Sequence, residues 1–205
     1  LGGGGYLSYA MPVAAIGVDV NPSIELAVNI FDRVVGVTGY NEDGVRLAEE
    51  LGVQNLRYLD AIEEVLQTNP DNIVIVDETY VEFAPAGSSC LPLLEKYDNL
   101  VITHTFSKTH NLAGARLGFC IARPALIADM NRVKFSYSPY NVNAMTQAAG
   151  AAAISDEAYF ADVTAKVIAE RTHTTDELRR RGYSEEAVAD IAGNNFLNYY
   201  RRMGW

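Results

Sequence analysis

Cysteine and histidine are scarce in this 205-residue chain, which contains two cysteines and three histidines. Cys90 and Cys120 show neither metal-binding nor redox spacing, so we expect free thiols of the kind found in cytosolic proteins. His104, His110 and His173 do not approach ligand spacing with acidic or cysteine partners. The sequence therefore predicts no metal site.

The chain also lacks a basic excess and a long apolar run. Its 16 Lys and Arg against 26 Asp and Glu give a net charge of −10, which argues against nucleic acid or an anionic membrane as a partner. No apolar run approaches the length of a membrane span, and no basic region precedes an apolar one at the N-terminus. A cytoplasmic location is therefore expected. With 49% hydrophobic and 20% charged residues, the composition is typical of a soluble globular protein.

Two apolar runs are followed by residues that can take part in catalysis or bind a cofactor. The run over residues 72–76 is rich in β-branched side chains, as in buried parallel strands, and it ends at Asp77. The run over residues 100–102 is followed by a polar stretch that contains Lys108. Ligands of open α/β sheets sit outside the carboxyl ends of the strands. Asp77 and Lys108 are therefore expected to face one crevice.

Each of these residues can be interpreted either as part of a reactive site or as a residue without a functional role. A desolvated lysine such as Lys108 can form a Schiff base with a carbonyl, whereas an ordinary lysine after a strand is solvated. Ser107, Thr105 and Arg116 are donors that suit a phosphate monoester. Asp77 can keep a pyridine nitrogen protonated, as pyridoxal phosphate (PLP) requires, or it can be a helix cap or loop residue.

Two motifs carry a family resemblance. V-D-E-T-Y-V-E-F begins at Val76, and T-F-S-K-T-H-N-L-A-G-A-R-L-G-F begins at Thr105. They resemble the fold-type I PLP-dependent aminotransferases of class I and II, and most of all histidinol-phosphate aminotransferase. The resemblance covers residues 60–183 and includes Asn195-Phe196-Leu197.

The resemblance implies a role for each site residue. Lys108 would be the catalytic lysine, which binds the cofactor as a Schiff base and later moves a proton. Asp77 would pair with the pyridine nitrogen of PLP and Tyr80 with the phenolic oxygen of its ring. The remaining cofactor-binding residues would be three phosphate ligands and one ring-stacking residue: Thr105, Ser107, Arg116 and Tyr9. For Tyr9, a core aromatic is the alternative.

The implied fold is a three-layer α/β/α arrangement with a mostly parallel sheet, like the large domain of fold-type I PLP transferases. Residues 1–60 would be a poorly matched segment packed on the core, residues 61–183 the PLP-binding core, and residues 184–205 the start of a largely missing C-terminal small domain. The N-P-N-N-P-T-G-like segment of the family is absent from residues 19–60. Helices are predicted over residues 41–51, 60–67, 91–97, 124–134, 142–154 and 156–181.

The implied activity is PLP-dependent transamination between histidinol phosphate and 2-oxoglutarate in histidine biosynthesis, by a homodimer. One alternative is a truncated or recombined protein that keeps the pocket without turnover. Another is a related PLP decarboxylase. A flavodoxin-like module would bind phosphate without forming a lysine adduct.

Overall fold

The computed structural model of the protein describes residues 12–18, 22–29 and 31–194. Tyr9 and the segment Asn195-Phe196-Leu197 lie outside the described residues. The chain divides into two compact units, the first ending at Asp156 and the second beginning at Glu157. None of the helices in the described part is long and apolar enough to span a membrane.

The first unit contains six strands and four helices among its described residues. The strands are β1 Pro12–Val18, β2 Ile24–Asn29, β3 Val34–Gly39, β4 Val74–Asp77, β5 Leu100–Thr105 and β6 Gly118–Ala122. The helices are α1 Glu42–Glu50, α2 Tyr58–Thr68, α3 Pro124–Tyr137 and α4 Ala144–Ser155. Short 3-10 turns cover Val81–Phe83, Leu91–Glu95 and Ala113–Ala115. The helix predicted over residues 91–97 is thus a 3-10 turn, and the other predicted helices of this unit are confirmed.

The six strands form one sheet in the order β3-β2-β1-β4-β5-β6. Only β4 and β5 are parallel among the described pairs, while β1–β2, β2–β3, β1–β4 and β5–β6 are antiparallel. The α/β class is confirmed, but the expectation of a mostly parallel sheet is wrong. The reason is local: β1, β2 and β3 follow one another through short connections, and short connections join antiparallel neighbours.

Helix α1 shows how residues 19–60, where the resemblance fails, still fold into ordinary structure. The Asn41 side chain accepts a hydrogen bond of 2.7 Å from the Gly44 amide and one of 3.2 Å from the Ser23 amide. Asn41 therefore caps the helix, as predicted, and also ties its start to the chain before β2. The helix ends at Glu50, with Leu51 as its C-cap, just before Gly52.

Helix α2 supplies much of the core because its apolar residues recur at helical spacing. Tyr58, Ala61, Ile62, Val65 and Leu66 are all buried. They pack in one cluster with alternate residues of three strands: Ile24, Leu26, Val28, Val74, Val76, Leu100 and Ile102. Burying a single large aliphatic side chain stabilises a fold by about 1.5–3 kcal/mol, so this face of the sheet holds the unit together.

Helices α3 and α4 are much less buried than α2. Helix α3 has no buried residue, and α4 has one, Gly150. An added Cβ at Gly150 would meet the side chains of Leu117 and Phe106, so α4 lies close against the chain that follows β5. The small residue permits that close approach.

The second unit contains α5, Glu157–Arg180, and α6, Glu185–Ala189, followed by a π-helical turn over Asp190–Asn194. Gly182 adopts a φ of 88° and its amide bonds the Arg179 carbonyl at 2.9 Å, which ends α5 as its sequence predicts. The Ser184 side chain caps α6 by accepting a hydrogen bond of 3.1 Å from the Ala187 amide.

We expect Gly44→Ala to lower the free energy of unfolding by about 1–3 kcal/mol, although alanine favours helices. A Cβ on Gly44 would overlap the Ser23 carbonyl oxygen, which is backbone and cannot move aside cheaply. Urea denaturation at equilibrium measures the change.

Gly52→Ala is the matched control, because a Cβ on Gly52 meets nothing within 4 Å. Its free energy of unfolding should stay within about 0.5 kcal/mol of that of the unmodified protein. Equal stability of the two variants would contradict the described packing of α1 on Ser23.

Candidate functional site

The candidate site lies where β4 and β5 end. Their parallel register pairs Val76 with Ile102 and Asp77 with Thr103, and the Glu78 amide continues the ladder by bonding the Thr103 carbonyl at 2.9 Å. The two motifs that carry the resemblance therefore begin at the carboxyl-terminal ends of two neighbouring strands. Neighbouring parallel strands place their carboxyl ends side by side, as expected.

Asp77 is exposed at the end of β4. Its Oδ1 accepts hydrogen bonds from the Thr79 amide at 3.0 Å and from the Thr79 hydroxyl at 2.5 Å. Oδ2 makes no hydrogen bond to another residue in the described part of the chain. Thr79 thus orients the carboxylate, which keeps one oxygen available to a ligand.

Lys108 and Tyr80 meet across the two strand ends. The Lys108 Nζ lies over the Tyr80 ring, 5.4 Å from its centroid, which is within the range of a cation–π contact. Lys108 is exposed, and none of the described carboxylates lies within ion-pair distance of its amine. The structure therefore brings together a lysine amine and a phenol from two different strand ends.

The predicted phosphate donors lie in the chain on either side of Lys108, between β5 and β6 or at the end of β5. The Ser107 amide donates to the Thr105 hydroxyl at 3.1 Å, and the Thr105 hydroxyl lies 3.5 Å from the Leu117 carbonyl. Arg116 follows the Ala113–Ala115 turn with a left-handed φ of 51°, and its Nη1 donates to the Ala113 carbonyl at 3.0 Å. Arg116 keeps further guanidinium donors, since a guanidinium has five.

A second cluster lies directly under this site, around His104 on β5. His104 Nε2 lies 3.4 Å from Glu78 Oε2, and its Nδ1 lies 3.4 Å from Glu82 Oε1. These distances exceed the ~2.9 Å of a typical N–H···O hydrogen bond, so the contacts are ion pairs. The His104 ring also stacks on Phe119, with centroids 5.1 Å apart and planes 6° from parallel.

The contacts within this cluster shift the pKa values of His104 and Glu78. The contacts with Glu78, and then with Glu82, raise the pKa of His104 to about 9 despite its burial. Burial alone would raise the pKa of Glu78, but interactions with His104, the Cys90 amide and the Ser89 hydroxyl outweigh it and lower that pKa. The raised pKa of His104 favours the cationic form of its ring between the Glu78 and Glu82 side chains.

The Glu78 carboxylate also links the candidate site to the buried residues Cys90 and Tyr58. It accepts hydrogen bonds from the Cys90 amide at 2.5 Å and from the Ser89 hydroxyl at 2.8 Å. The Cys90 thiol in turn contacts the Tyr58 hydroxyl at 3.1 Å. Burial raises the pKa of Cys90 to about 12, and burial with the Cys90 contact raises the pKa of Tyr58 as well.

Sequence reasoning set His104 aside because it has no ligand spacing along the chain. Its partners come from the neighbouring strand end, so they are not visible as a spacing along the sequence. Glu78 and Glu82 are four residues apart after β4, and the register that pairs Asp77 with Thr103 brings Glu78 next to His104. The predicted site residues Asp77, Tyr80, Thr105, Ser107, Lys108 and Arg116 all lie in the described part of the chain, at or after the ends of β4 and β5.

Comparison with known proteins identifies the family. The model for "Aminotransferase class I and II" matches residues 55–191, about two thirds of the chain. This chain belongs to the class I and II aminotransferase family. The motifs at Asp77 and Lys108 both fall within the matched range, so the resemblance seen in the sequence is confirmed.

The curated relatives of this aminotransferase chain are named histidinol-phosphate aminotransferases. The chain is 45% identical to histidinol-phosphate aminotransferase 2 of Dechloromonas aromatica (strain RCB), over 70% of this chain and 39% of the relative. It is also 45% identical to the enzyme of Lactococcus lactis subsp. cremoris (strain SK11), over 61% of this chain and 35% of the relative. The chain thus spans well under half the length of these relatives.

Solved structures show the same fold. Histidinol-phosphate aminotransferase of Sinorhizobium meliloti, in complex with pyridoxal-5'-phosphate, is 26% identical with a TM-score of 0.52, over 62% of this chain and 33% of that chain. The enzyme of Clostridium acetobutylicum, at 22% identity, gives a TM-score of 0.55 over 70% of this chain and 46% of that chain, and it supports the fold.

A second family model matches the N-terminal part of the chain. The model for "Anti-sigma factor RsgI-like central domain" matches residues 13–84 and overlaps the aminotransferase match over residues 55–84. Strands β2 and β3, helix α1 and β1 from Val13 onwards lie in the part matched by this second model and not by the aminotransferase model. From residue 19 onwards this part falls in the range for which the sequence offered no aminotransferase counterpart.

We expect alkylation of the native protein to modify Cys120 and spare Cys90. Cys90 is buried, and its pKa of about 12 lowers the thiolate fraction about 10³-fold relative to a pKa of 9, whereas Cys120 is partly exposed. Mass spectrometry after a brief iodoacetamide treatment locates the label.

Cys120→Ser is the control for this labelling. Its remaining thiol should react in urea and be protected in the native protein. Fast labelling of native Cys120→Ser would contradict the buried contact between Cys90 and Tyr58.

Proposed function

We propose that this chain carries the PLP site of an aminotransferase that exchanges an amino group between histidinol phosphate and 2-oxoglutarate. The observation that supports it is the contact of the Lys108 amine with the Tyr80 ring, just beyond the ends of the parallel strand pair in which Asp77 is the last residue of β4. The named relatives, which act on histidinol phosphate according to their names, suggest the substrate.

The described residues fit pyridoxal phosphate. Lys108 offers an amine without a carboxylate partner in the described part of the chain, and Asp77 has one carboxylate oxygen without an internal hydrogen bond. Thr105, Ser107 and Arg116 provide hydroxyl, amide and guanidinium donors close to the lysine. When bound, PLP supplies an electron sink that stabilises negative charge at the substrate α-carbon.

Each side chain has a distinct task in this proposal. Lys108 Nζ would hold the carbonyl carbon of the cofactor and, once released, would take and return the proton of the substrate α-carbon. The Asp77 carboxylate, oriented by Thr79, would keep the pyridine nitrogen protonated. Tyr80 would donate its hydroxyl proton to the ring oxygen, and Ser107, Thr105 and Arg116 would bind the phosphate.

The proposal extends to assembly and location. We infer a homodimer in the cytoplasm, because the family resemblance implies shared sites and the net charge of −10 disfavours anionic surfaces. Tyr9 is proposed to stack on the cofactor ring. The domain boundaries at residues 60 and 183 likewise remain predictions.

A second candidate is a protein that binds PLP without turnover. It is favoured by the second family match, because residues 13–54 lie within the anti-sigma factor match and outside the aminotransferase match, and the described strands there, β1 to β3, pair antiparallel. That part of the chain would otherwise be expected to bring the asparagine-rich segment of the family to the ring. Product analysis after incubation with histidinol phosphate separates this candidate, and a decarboxylase, from a transaminase.

We expect purified protein with added PLP to give a yellow absorbance band that borohydride fixes to Lys108. Lys108→Ala should abolish both the band and the borohydride-resistant label, because the variant lacks the amine. Absorbance spectroscopy and peptide mapping measure the two effects.

Lys134→Ala is the matched control, since Lys134 lies on the exposed helix α3 over the Phe135 ring. It should keep the band and the label. Absence of the absorbance band in the unmodified protein would rule out the proposed cofactor site.

Asp77→Asn should leave the fold and PLP binding in place, because an amide oxygen can still accept the hydrogen bonds from Thr79. The rate of amino-group transfer should fall by about 10²-fold or more, since the negative charge opposite the pyridine nitrogen is lost. Single-turnover absorbance with a donor amine measures this rate. Unchanged turnover would contradict the role of Asp77.

A further inference from the structure

Tyr80 lies at the centre of a short segment that has a glutamate on either side. Glu78 precedes it by two residues, and Glu82 follows it by two. The backbone folds tightly here, with the Val81 amide bonding the Glu78 carbonyl at 3.1 Å and the Phe83 amide bonding the Tyr80 carbonyl at 3.0 Å. The position of the Tyr80 ring therefore depends on where the two glutamates are held.

His104 contacts both glutamates from the neighbouring strand. Its two ring nitrogens each lie 3.4 Å from a different carboxylate, and its side chain is only 9% exposed. Both imidazole nitrogens carry a proton only in the cation, so only the cation can face two carboxylates favourably. Glu82 Oε2 and His104 Nε2 are both buried without a hydrogen-bond partner in the described part of the chain, so the two ion pairs are what compensates the burial of these groups.

The groups around His104 come from three places in the fold. Glu78 and Glu82 face it from the segment after β4, His110 acts on it electrostatically from the loop after Lys108, and Phe119 stacks on it from β6. Glu78 is itself fixed by the Ser89 hydroxyl and the Cys90 amide. The ring is thus held from both sides while it spans the two carboxylates.

We propose that cationic His104 is a positioning residue that ties Glu78 to Glu82 and so holds Tyr80 above Lys108. The pair of contacts is called the His104 clamp below. This inference deepens the proposed function and rests on it for its purpose, because a fixed Tyr80 matters to a ligand held by Lys108. His104 itself does not contact the Lys108 amine in this arrangement and acts through Tyr80.

The clamp has a defined pH range. The pKa of His104 rises from 6.5 to about 9 on folding, so its stabilising contribution is complete below about pH 6.5 and is lost as the pH rises through 9. The pKa of Glu78 is lowered, so its contribution is lost only as the pH falls through its folded value. Protection of the Tyr80 segment should therefore weaken at alkaline pH.

Hydrogen exchange of the full chain tests the clamp. Corrected for intrinsic rates, the Val81, Phe83 and Ala84 amides should exchange about tenfold faster in His104→Gln than in the unmodified protein at pH 7.5, because local opening becomes easier. Exchange in α1 should stay unchanged. His104→Arg, a permanent cation, should restore protection at pH 7.5 and retain it at pH 9.5, where the unmodified protein loses it.

His173→Gln is the matched control, as it removes an exposed histidine from α5 in the other unit. Glu82→Gln provides a second route if His104→Gln fails to fold, and it should also speed exchange of the Tyr80 segment. Unchanged protection of residues 81–84 in both variants would overturn the proposal. So would an imidazole NMR titration that placed the pKa of His104 at or below 6.5.

PLP titration of the same variants separates this proposal from the proposed function. His104→Gln should weaken PLP binding about tenfold at pH 7.5, and His104→Arg should restore it, since only the fraction with Tyr80 in place binds well. If exchange responds as expected but the unmodified protein does not bind PLP, the proposed function fails and the clamp stands. If PLP binds equally to all variants, the positioning role of His104 is refuted.

Discussion

Hydrogen bonding between β4 and β5 fixes Asp77 beside Thr103, and the arrangement of every candidate side chain depends on that register. A shift of one residue would turn Val74 and Val76 away from the core, so burial of the apolar face specifies the register strongly. The hydrophobic cluster around α2 therefore does more than stabilise the sheet. It determines which polar residues emerge together where the two strands end.

Buried charge is the second constraint on the residues that follow β4 and β5. Removing an ion from water is expensive unless other charges and hydrogen bonds replace the solvent. Glu78 is almost fully buried, and it contacts a histidine, a hydroxyl and a backbone amide. Satisfying the carboxylate in this way gives the chain after β4 one favoured path, and Tyr80 follows that path.

The parts of the fold that sequence could predict are those fixed by local patterns. The N-cap at Asn41, the glycine stop at Gly182 and the apolar spacing of α2 each specify an element from a few neighbouring residues. The two strand ends were predictable because the apolar runs stop after Val76 and Ile102 and are followed by polar residues. The site residues followed from motifs within those same segments.

What sequence could not predict depends on pairing between distant residues. The direction in which β1 runs beside β4 is set by a contact between Val18 and Val76, and no local pattern encodes it. The same holds for His104, whose two partners come from a neighbouring strand end. A mostly parallel sheet was expected because the family resemblance implied it, whereas β1 to β3 pair antiparallel in the part of the chain that the resemblance does not cover.

The strand order also protects the site from unwanted association. Within the described sheet, β4 and β5 each have a hydrogen-bonded neighbour on both sides, so neither strand offers a free row of amides and carbonyls to another chain. Those rows belong to the edge strands β3 and β6, which have six and five residues. Strand addition by a second polypeptide would take place there, to one side of the crevice. The residues at the ends of β4 and β5 would stay open to a small molecule while the sheet grew at its edge.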